Sequence, residues 1–166
     1  MYRRILVPTD GSALAGAAAS AAVELARVCG AEVIALSVAY PEPVLLSAEG
    51  ALASGGTGVD VLLEQAQRHV MQVAEMARRA GVPCAALTAY GESPSAEIVA
   101  LAARRHCDLV FIASHGRHGL SRLIAGSVTQ QVLARSPVPV LVYRPGAGNG
   151  KEQALPGPAP VTRTPA

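Results

Sequence analysis

The chain has 166 residues and a formal net charge of +2; 51% of its residues are apolar and 3% are aromatic. The length favours one domain, and the near-neutral charge argues against nucleic acid as the main partner, because nucleic acid selects a basic face. No apolar run approaches the roughly 20 residues that cross a bilayer, and the run after Arg3 and Arg4 is too short for a signal peptide, so we expect a cytoplasmic protein without membrane association.

Segments typical of strands and helices alternate along the chain. Short apolar runs bounded by turn residues predict buried strands, and apolar residues at intervals of three or four predict helices between them. The predicted strands are 4–9, 31–38, 82–90, 108–113 and 138–143, and the predicted helices are 13–29, 59–80, 94–105 and 127–135. Because a helix between two strands forms a βαβ crossover, this α/β alternation predicts an open five-stranded parallel sheet with helices on both faces.

Capping residues mark the starts of two of these helices. Asp10 and Ser12 can cap the first, and Ser93 is a natural N-cap with Pro94 at the following helical position. The apolar residues of the first helix that we expect to point inward are Leu14, Ala18, Ala21, Ala22, Leu25 and Val28.

Two stretches break the alternation. Residues 39–58 are rich in proline and glycine and longer than most connections, which indicates a lid or a partly helical excursion, with a helical turn or two possible over 44–53. Residues 145–166 form a proline- and glycine-rich tail that buries nothing, so we expect it to be disordered. The folded domain is therefore predicted to comprise residues 1–144.

A glycine-rich loop follows the fourth predicted strand. It contains Gly116, Gly119 and Gly126 and leads into the helix that begins at Ser127. Such a loop exposes backbone N–H groups and enters a helix at its positive end, an arrangement that binds phosphate. The alternative is an ordinary tight turn with Ser127 as the helix cap, because a glycine-rich loop alone is a weak motif. Arg117 could pair with a phosphate oxygen or be a solvated loop residue.

Other polar residues near these turns have more than one interpretation. Asp10 could accept a hydrogen bond from a ribose hydroxyl, help to hold a divalent ion near phosphates, or cap the first helix. His115 and His118 have no third ligand nearby in sequence, so we expect contacts with ligand or water rather than a metal site. The cysteines are Cys29, Cys84 and Cys107. Their odd number and wide spacing favour buried thiols over disulfides or zinc ligands.

Four segments together resemble the universal stress protein family. They are Ile5–Ser12, Gly91–Pro94, Ser114–Thr129 and Pro137–Val142. Their order and spacing make the resemblance specific, and it covers nearly all of residues 2–144. The family implies a five-stranded parallel α/β sandwich, adenine-nucleotide-hydrolase-like, with strand order 3-2-1-4-5. It also implies a homodimer built through the last strand, here residues 138–143.

Family members that bind ATP carry the pattern Gly-x2-Gly-x9-Gly-Ser/Thr. Gly116 and the pair Gly126–Ser127 match its second and third parts, whereas Ala113 stands where the first glycine belongs. Alanine at that position tolerates a close approach if its φ is negative and fails if φ must be positive. The resemblance thus implies ATP as ligand, with Mg²⁺ or Mn²⁺, on condition that the backbone at Ala113 permits it.

The family's nucleotide site can be carried onto this chain residue by residue. Pro8, Thr9 and Asp10 would lie near the adenosine, and Val38 would touch the adenine. The residues that would line the pocket or hold the phosphates are Ile112, Ala113, Gly116, Gly126, Ser127, Val128 and Thr129. These positions follow the carboxyl ends of strands, and in the implied order the first and fourth strands flank the switch point at which open sheets bind ligands.

No catalytic set accompanies this predicted site. The sequence shows no nucleophile–base arrangement, no Walker lysine after the loop and no second basic clamp. We therefore expect an ATP-binding, dimeric sensor or adaptor of the stress response with an unknown protein partner and little or no hydrolysis. The alternatives are a family member that has lost the nucleotide and acts through protein contacts, and a slow ATPase.

Overall fold

The structure, a computed structural model, describes residues 1–41, 58–115 and 127–144. Its elements are β1 Arg4–Pro8, α1 Ala13–Cys29, β2 Glu32–Ala39, α2 Gly58–Arg79, β3 Cys84–Tyr90, α3 Pro94–Arg104, β4 Leu109–Ala113, α4 Ser127–Arg135 and β5 Val140–Tyr143. Each predicted helix and strand is present, and the bounds differ by two residues at most. The predictions for the excursion around 44–53, the glycine loop and the tail lie outside the described residues.

The five strands form one parallel sheet in the order β3-β2-β1-β4-β5, which confirms the predicted fold class and strand order. β1 pairs with β2 along its whole length, and with β4 through Ile5 and Leu6. The direction of winding reverses between β1 and β4, because α1 leaves β1 on one face and α4 follows β4 on the other. In open α/β sheets a ligand crevice forms at this point of reversal, outside the carboxyl ends of the strands.

An apolar layer on each face holds the helices against the sheet. Alternate residues of a strand point to opposite faces. Val7 accordingly packs towards α1 and α2, while Leu6 packs towards α3 and α4, and both are fully buried. The α3 and α4 layer includes Ile98, Leu101 and Ala102, which form the inward face of α3.

α1 packs on the sheet mainly through alanines. Its buried residues are Ala15, Ala18, Ala19, Ala22, Val23 and Ala26. Of the residues predicted to point inward, Ala18 and Ala22 do so, whereas the Val28 side chain is 69% exposed and that prediction is wrong. Leu14, Ala21 and Leu25, which are also predicted to point inward, are only partly buried at the border of this layer. Small side chains let a helix approach a sheet closely, so the alanine face lies inward and the leucines flank it.

β5 begins at Val140, two residues later than predicted, because a side chain closes a turn before it. The Ser136 hydroxyl donates to the Val138 carbonyl at 2.7 Å, and its oxygen accepts the Val138 N–H at 3.2 Å. Pro139 has no N–H to offer a neighbouring strand, although its carbonyl accepts from the N–H of Val110 at 3.0 Å. Pairing with β4 therefore starts at Val140.

α2 is amphipathic along its length. Its buried residues are Ala66, Val70, Val73 and Ala77. On the solvent side Glu75 accepts hydrogen bonds from Arg78 and Arg79, and these bonds lower the pKa of the Glu75 carboxyl to about 2. Among the described residues, this helix and the others are too short or too polar to cross a bilayer.

Candidate functional site

The ends of β1 and β4 lie side by side at the carboxyl edge of the sheet. Leu6 is opposite Val110 in the paired strands, Ala113 is the last residue of β4, and Thr9 directly follows the last residue of β1. The Thr9 N–H donates to the Leu36 carbonyl at 2.8 Å. The backbone at this edge is thus fixed by hydrogen bonds to the sheet, and two of the predicted site positions, Thr9 and Ala113, lie at the ends of neighbouring strands.

Asp10, Gly11 and Ser12 form a tight turn between β1 and α1. The Gly11 N–H donates to Oγ1 of Thr9 at 3.2 Å, and the Ser12 N–H donates to Oδ1 of Asp10 at 3.0 Å. Ser12 is the N-cap of α1, because its hydroxyl accepts the N–H of Ala15 at 3.2 Å. The predicted helix cap is therefore confirmed for Ser12, whereas Asp10 accepts the N–H of the cap residue itself and closes the turn before the helix.

His69, which is not among the predicted site residues, lies directly against this turn. Gly11 has φ +76°, and a Cβ added to it would be 2.2 Å from Cδ2 and 2.4 Å from Nε2 of His69. Nδ1 of the same ring is 3.3 Å from the hydroxyl of Ser37, which is 2% exposed in β2. No sequence pattern links these residues, because the contact arises only when α2 packs across the sheet beside β2.

Ala113, which replaces a glycine of the family pattern, has an ordinary strand conformation. It pairs with Tyr143 of β5, and its methyl group packs in the layer beneath α1 and α2. Among the described residues, His106 is the only non-glycine residue with a positive φ. The backbone at Ala113 consequently does not require glycine.

The first turn of α4 is attached to the end of β4 by one hydrogen bond. Oγ1 of Thr129 donates to the Ala113 carbonyl oxygen at 2.9 Å, and Thr129 is 3% exposed. Ser127 is exposed at the start of the helix, and Val128 packs in the layer shared with α3. The first N–H groups of a helix have no partner within it and carry its positive end. The loop residues Gly116, Arg117, Gly119 and Gly126 lie outside the described residues.

Val38 and Ile112, two apolar residues of the predicted site, share one side of the sheet. Val38 and Ile112 both pack in the layer between the sheet and the α3 and α4 helices, and Pro8 is buried at the end of β1. Val38 is partly accessible, whereas Ile112 is 4% exposed. An apolar wall near the carboxyl edge is thus available on the side from which α4 approaches.

Potential metal ligands near the crevice do not cluster. Within residues 1–41, 58–115 and 127–144, no group of three or more His, Cys, Asp or Glu side chains could hold a metal ion. His115 has its Nδ1 3.1 Å from the hydroxyl of Ser114, which is 3% exposed, while His118 lies outside these ranges.

The chain is similar to universal stress proteins over most of its length. The family model described as "Universal stress protein family" matches residues 1–144. Universal stress protein MJ0531 of Methanocaldococcus jannaschii is 35% identical over 145 residues, which are 87% of this chain and 83% of that protein.

Solved structures show the same architecture. The structure of MJ0577, also from M. jannaschii, superimposes with a TM-score of 0.70 at 30% identity and covers 86% of this chain and 95% of that one. A universal stress protein from Archaeoglobus fulgidus, solved in complex with dAMP, has a TM-score of 0.62 and covers 85% of this chain and 97% of that one. Its identity is 20%, so this likeness shows the fold alone.

Proposed function

This chain belongs to the universal stress protein family, and we propose that it binds ATP at the carboxyl edge between β1 and β4. We propose that the chain acts as a sensor or adaptor in the stress response, and that its state depends on whether nucleotide is bound. The observation that carries the proposal is the bond from Thr129 to the Ala113 carbonyl, because it fixes the positive end of α4 beside the end of β4.

The phosphate end of the nucleotide is proposed to lie at the start of α4. The N–H groups of Ser127, Val128 and Thr129 occupy the first turn of that helix, where backbone donors and the helix dipole favour an anion. The hydroxyl of Thr129 already donates its proton to the Ala113 carbonyl. Thr129 would therefore bind phosphate through its N–H, while its hydroxyl keeps the start of the helix in place. Gly116, Arg117, Gly119 and Gly126 are proposed to complete the phosphate site.

The adenosine end is proposed to lie towards β1 and β2. Asp10 is proposed to accept a hydrogen bond from a ribose hydroxyl, and the Ser12 N–H that Oδ1 accepts holds its carboxylate in the turn. Val38 is partly accessible and offers an apolar surface for the adenine, and the buried Ile112 lies in the same layer on the α4 side. Pro8 and Thr9 precede Asp10 in the chain and would fix the position of its backbone.

The alanine at position 113 is compatible with this proposal. Its φ is not positive, and its methyl group points into the layer beneath α1 and α2, whereas Ile112 points to the α3 and α4 side. The fold accommodates an adenine nucleotide in the A. fulgidus protein that was solved with dAMP. These observations favour nucleotide binding over a member that has lost it.

Slow or absent hydrolysis is part of the proposal. The only lysine of the sequence is Lys151, so the loop between β4 and α4 supplies no lysine to a transferring phosphoryl group. The described residues contain no cluster of metal ligands, and an accompanying Mg²⁺ or Mn²⁺ would depend on the phosphate oxygens, with Asp10 as a candidate protein ligand. We thus propose that ATP acts through its binding and not through its hydrolysis.

The edge strand β5 is the proposed surface of a homodimer. β5 pairs with β4 on one side and ends the sheet on the other, and Leu141 is 38% exposed. An open strand edge with apolar side chains pairs readily with a second copy. We propose a cytoplasmic homodimer joined through residues 138–143, with nucleotide occupancy read by a further protein partner.

Thermal unfolding with and without nucleotide tests the proposal. A ligand that binds only the folded state stabilises it by about 2.7 kcal/mol at 100 times its Kd, so ATP should raise Tm. GTP is the matched control, because it has the same phosphates and a different base. An ATP-specific rise with no phosphate release over hours supports the proposal; equal Tm values with ATP, with GTP and without nucleotide contradict it.

A further inference from the structure

We infer that His69 is a positioning residue of the nucleotide site: its ring holds the Asp10–Ser12 turn in the shape that presents the Asp10 carboxylate to the nucleotide. The inference rests on the proposed function and adds to it a residue of α2, a helix that contributes none of the predicted site positions.

The turn is closed from inside by two side chains of its own. Thr9 and Asp10 accept the N–H groups of Gly11 and Ser12, respectively. Gly11 has φ +76°, in the left-handed region, and glycine is the residue whose backbone is least restricted. The covalent structure of Gly11 does not restrict the turn to this conformation, so its shape depends on these two hydrogen bonds and on what packs against it.

The ring of His69 supplies that packing. The contact is close enough that a single added methyl group on Gly11 would overlap the ring, with 2.2 Å to Cδ2. Such direct contact of a rigid ring with a glycine limits the movement of the turn towards α2. Asp10 is the residue before Gly11, so a displaced turn would also displace the Asp10 carboxylate.

The ring is itself fixed by the sheet. Nδ1 of His69 is 3.3 Å from the Ser37 hydroxyl, and Ser37 is 2% exposed in β2. This hydrogen bond restricts the rotation of the imidazole about its Cβ–Cγ bond. A continuous series of contacts therefore runs from β2 through His69 to Gly11 and Asp10.

The experiment compares ATP affinity with local opening of the turn in matched variants. His69→Ala removes the ring and with it the contacts with Gly11 and Ser37, His69→Phe keeps a ring but loses the bond to Ser37, and Ser37→Ala removes the Ser37 hydroxyl and keeps the ring. The control is His106→Asn, which changes an exposed histidine at the end of α3, where φ is +50° and asparagine is tolerated. Affinity is measured by equilibrium dialysis, and opening by hydrogen exchange of the Gly11 and Ser12 amides without nucleotide.

We expect His69→Ala to weaken ATP binding about tenfold, equivalent to about 1.4 kcal/mol, and to speed exchange at the Gly11 and Ser12 amides. His69→Phe and Ser37→Ala should show smaller losses of affinity, and the control none. The free energy of unfolding in urea separates this role from a merely structural one. A structural role would lower global stability while leaving the affinity of the folded protein unchanged.

The outcomes separate this inference from the proposed function. A wild-type chain that binds ATP together with His69→Ala and His69→Phe variants that bind equally well overturns the inference alone. A wild-type chain that does not bind ATP overturns the proposed function, and the inference with it. If His69→Ala does not fold, His69→Phe and Ser37→Ala decide the question, since unchanged affinity and exchange in both would contradict it.

Discussion

The hydroxyl of Thr129 donates a hydrogen bond to the carbonyl oxygen of Ala113, with Oγ1 2.9 Å from O. The bond joins the first turn of α4 to the last residue of β4, and the predicted phosphate-binding glycines Gly116, Gly119 and Gly126 all fall between these two elements in the sequence. Both residues are buried, so water does not readily replace either partner. The direction in which the positive end of α4 points is therefore set by a side chain within the helix.

Thr129→Val removes this bond with little change in shape. We expect the free energy of unfolding to fall by about 1 to 3 kcal/mol, because the Ala113 carbonyl loses a partner in a buried position. ATP affinity should fall as well, because the helix end is no longer fixed. Thr129→Ser keeps the hydroxyl and should retain affinity, and Gln130→Ala is an exposed control on the same turn. Unfolding in urea and equilibrium dialysis measure the two effects, and a Thr129→Val variant that matches wild type in both would contradict the role assigned to the bond.

Gly11→Ala and Gly30→Ala form a matched pair that tests the contact of His69 with the turn. Both glycines have a positive φ, +76° and +66°, but an added Cβ at Gly30 meets nothing within 4 Å. Gly30→Ala should therefore cost about 1 to 2 kcal/mol from backbone strain alone. Gly11→Ala should cost about 1 to 3 kcal/mol more, because the ring of His69 must move.

Adding His69→Ala to the Gly11→Ala variant should recover most of that extra loss, since the space is then open. The free energies of unfolding in urea give the comparison. Equal losses for Gly11→Ala and Gly30→Ala would mean that the ring does not press on the turn.

Ala113→Gly restores the first glycine of the ATP-binding pattern. Because Ala113 is extended, buried and directed to the α1 and α2 side, we expect ATP affinity to change by less than about threefold, or about 0.7 kcal/mol. The free energy of unfolding should fall by about 1 kcal/mol, because a glycine within a strand is more flexible and a buried methyl group is lost. A gain in affinity of about tenfold or more would show instead that the methyl group obstructs the nucleotide.

The thiol of Cys107 gives the fold a pH dependence at alkaline pH. Cys107 is 4% exposed, and burial raises the pKa of its thiol from 9.0 to about 11, although the nearby Arg4 opposes the shift. Below pH 9 the thiol is protonated in both the folded and the unfolded chain, so its contribution is constant. Between pH 9 and pH 11 it ionises in the unfolded chain alone, which favours unfolding.

The free energy of unfolding should therefore fall across this interval more steeply for wild type than for Cys107→Ala, by up to about 2 kcal/mol. Urea unfolding at several pH values measures the difference between the two proteins. A constant difference from pH 8 to pH 11 would contradict the assignment of the effect to this thiol.

Leu141→Asp tests the proposed dimer surface on β5. A carboxylate in an apolar interface between two strand edges has no partner and must be desolvated, so we expect the variant to be monomeric. Val61→Asp on α2 is the control, because Val61 is 40% exposed and Leu141 is 38% exposed. Light scattering after size-exclusion chromatography gives the mass in solution. A dimer that persists in Leu141→Asp, or is lost equally in Val61→Asp, would place the interface elsewhere.

The fold was predictable because it depends on patterns that are local in the sequence. The apolar run before Pro8 and the capping residues Ser12 and Ser93 mark element ends without reference to the rest of the chain. The inward face of α1 was less predictable, because alanine and leucine are both apolar and only the packed sheet selects the smaller side chain. Val28 illustrates the error, since it continues the apolar period yet lies in solvent.

The candidate site was predictable only where it follows strand ends. Thr9 directly follows β1 and Ala113 ends β4, and these two strands are neighbours in the strand order. The contacts of His69 with Gly11 and Ser37 join three separate elements, and no periodicity or motif encodes them. The role of Thr129 as the donor to Ala113 likewise depends on where α4 packs. Residues that act by supporting others therefore need coordinates to be found.

The most direct test of the account is equilibrium dialysis of the full chain against labelled ATP, with excess unlabelled ATP or GTP as competitor. We expect saturable binding that approaches one ATP per chain below millimolar concentration, competed by ATP and not by GTP, and weakened in Thr129→Val. No saturable binding at millimolar ATP, for wild type and for Ala113→Gly alike, would contradict the claim that the carboxyl edge between β1 and β4 is an adenine-nucleotide site.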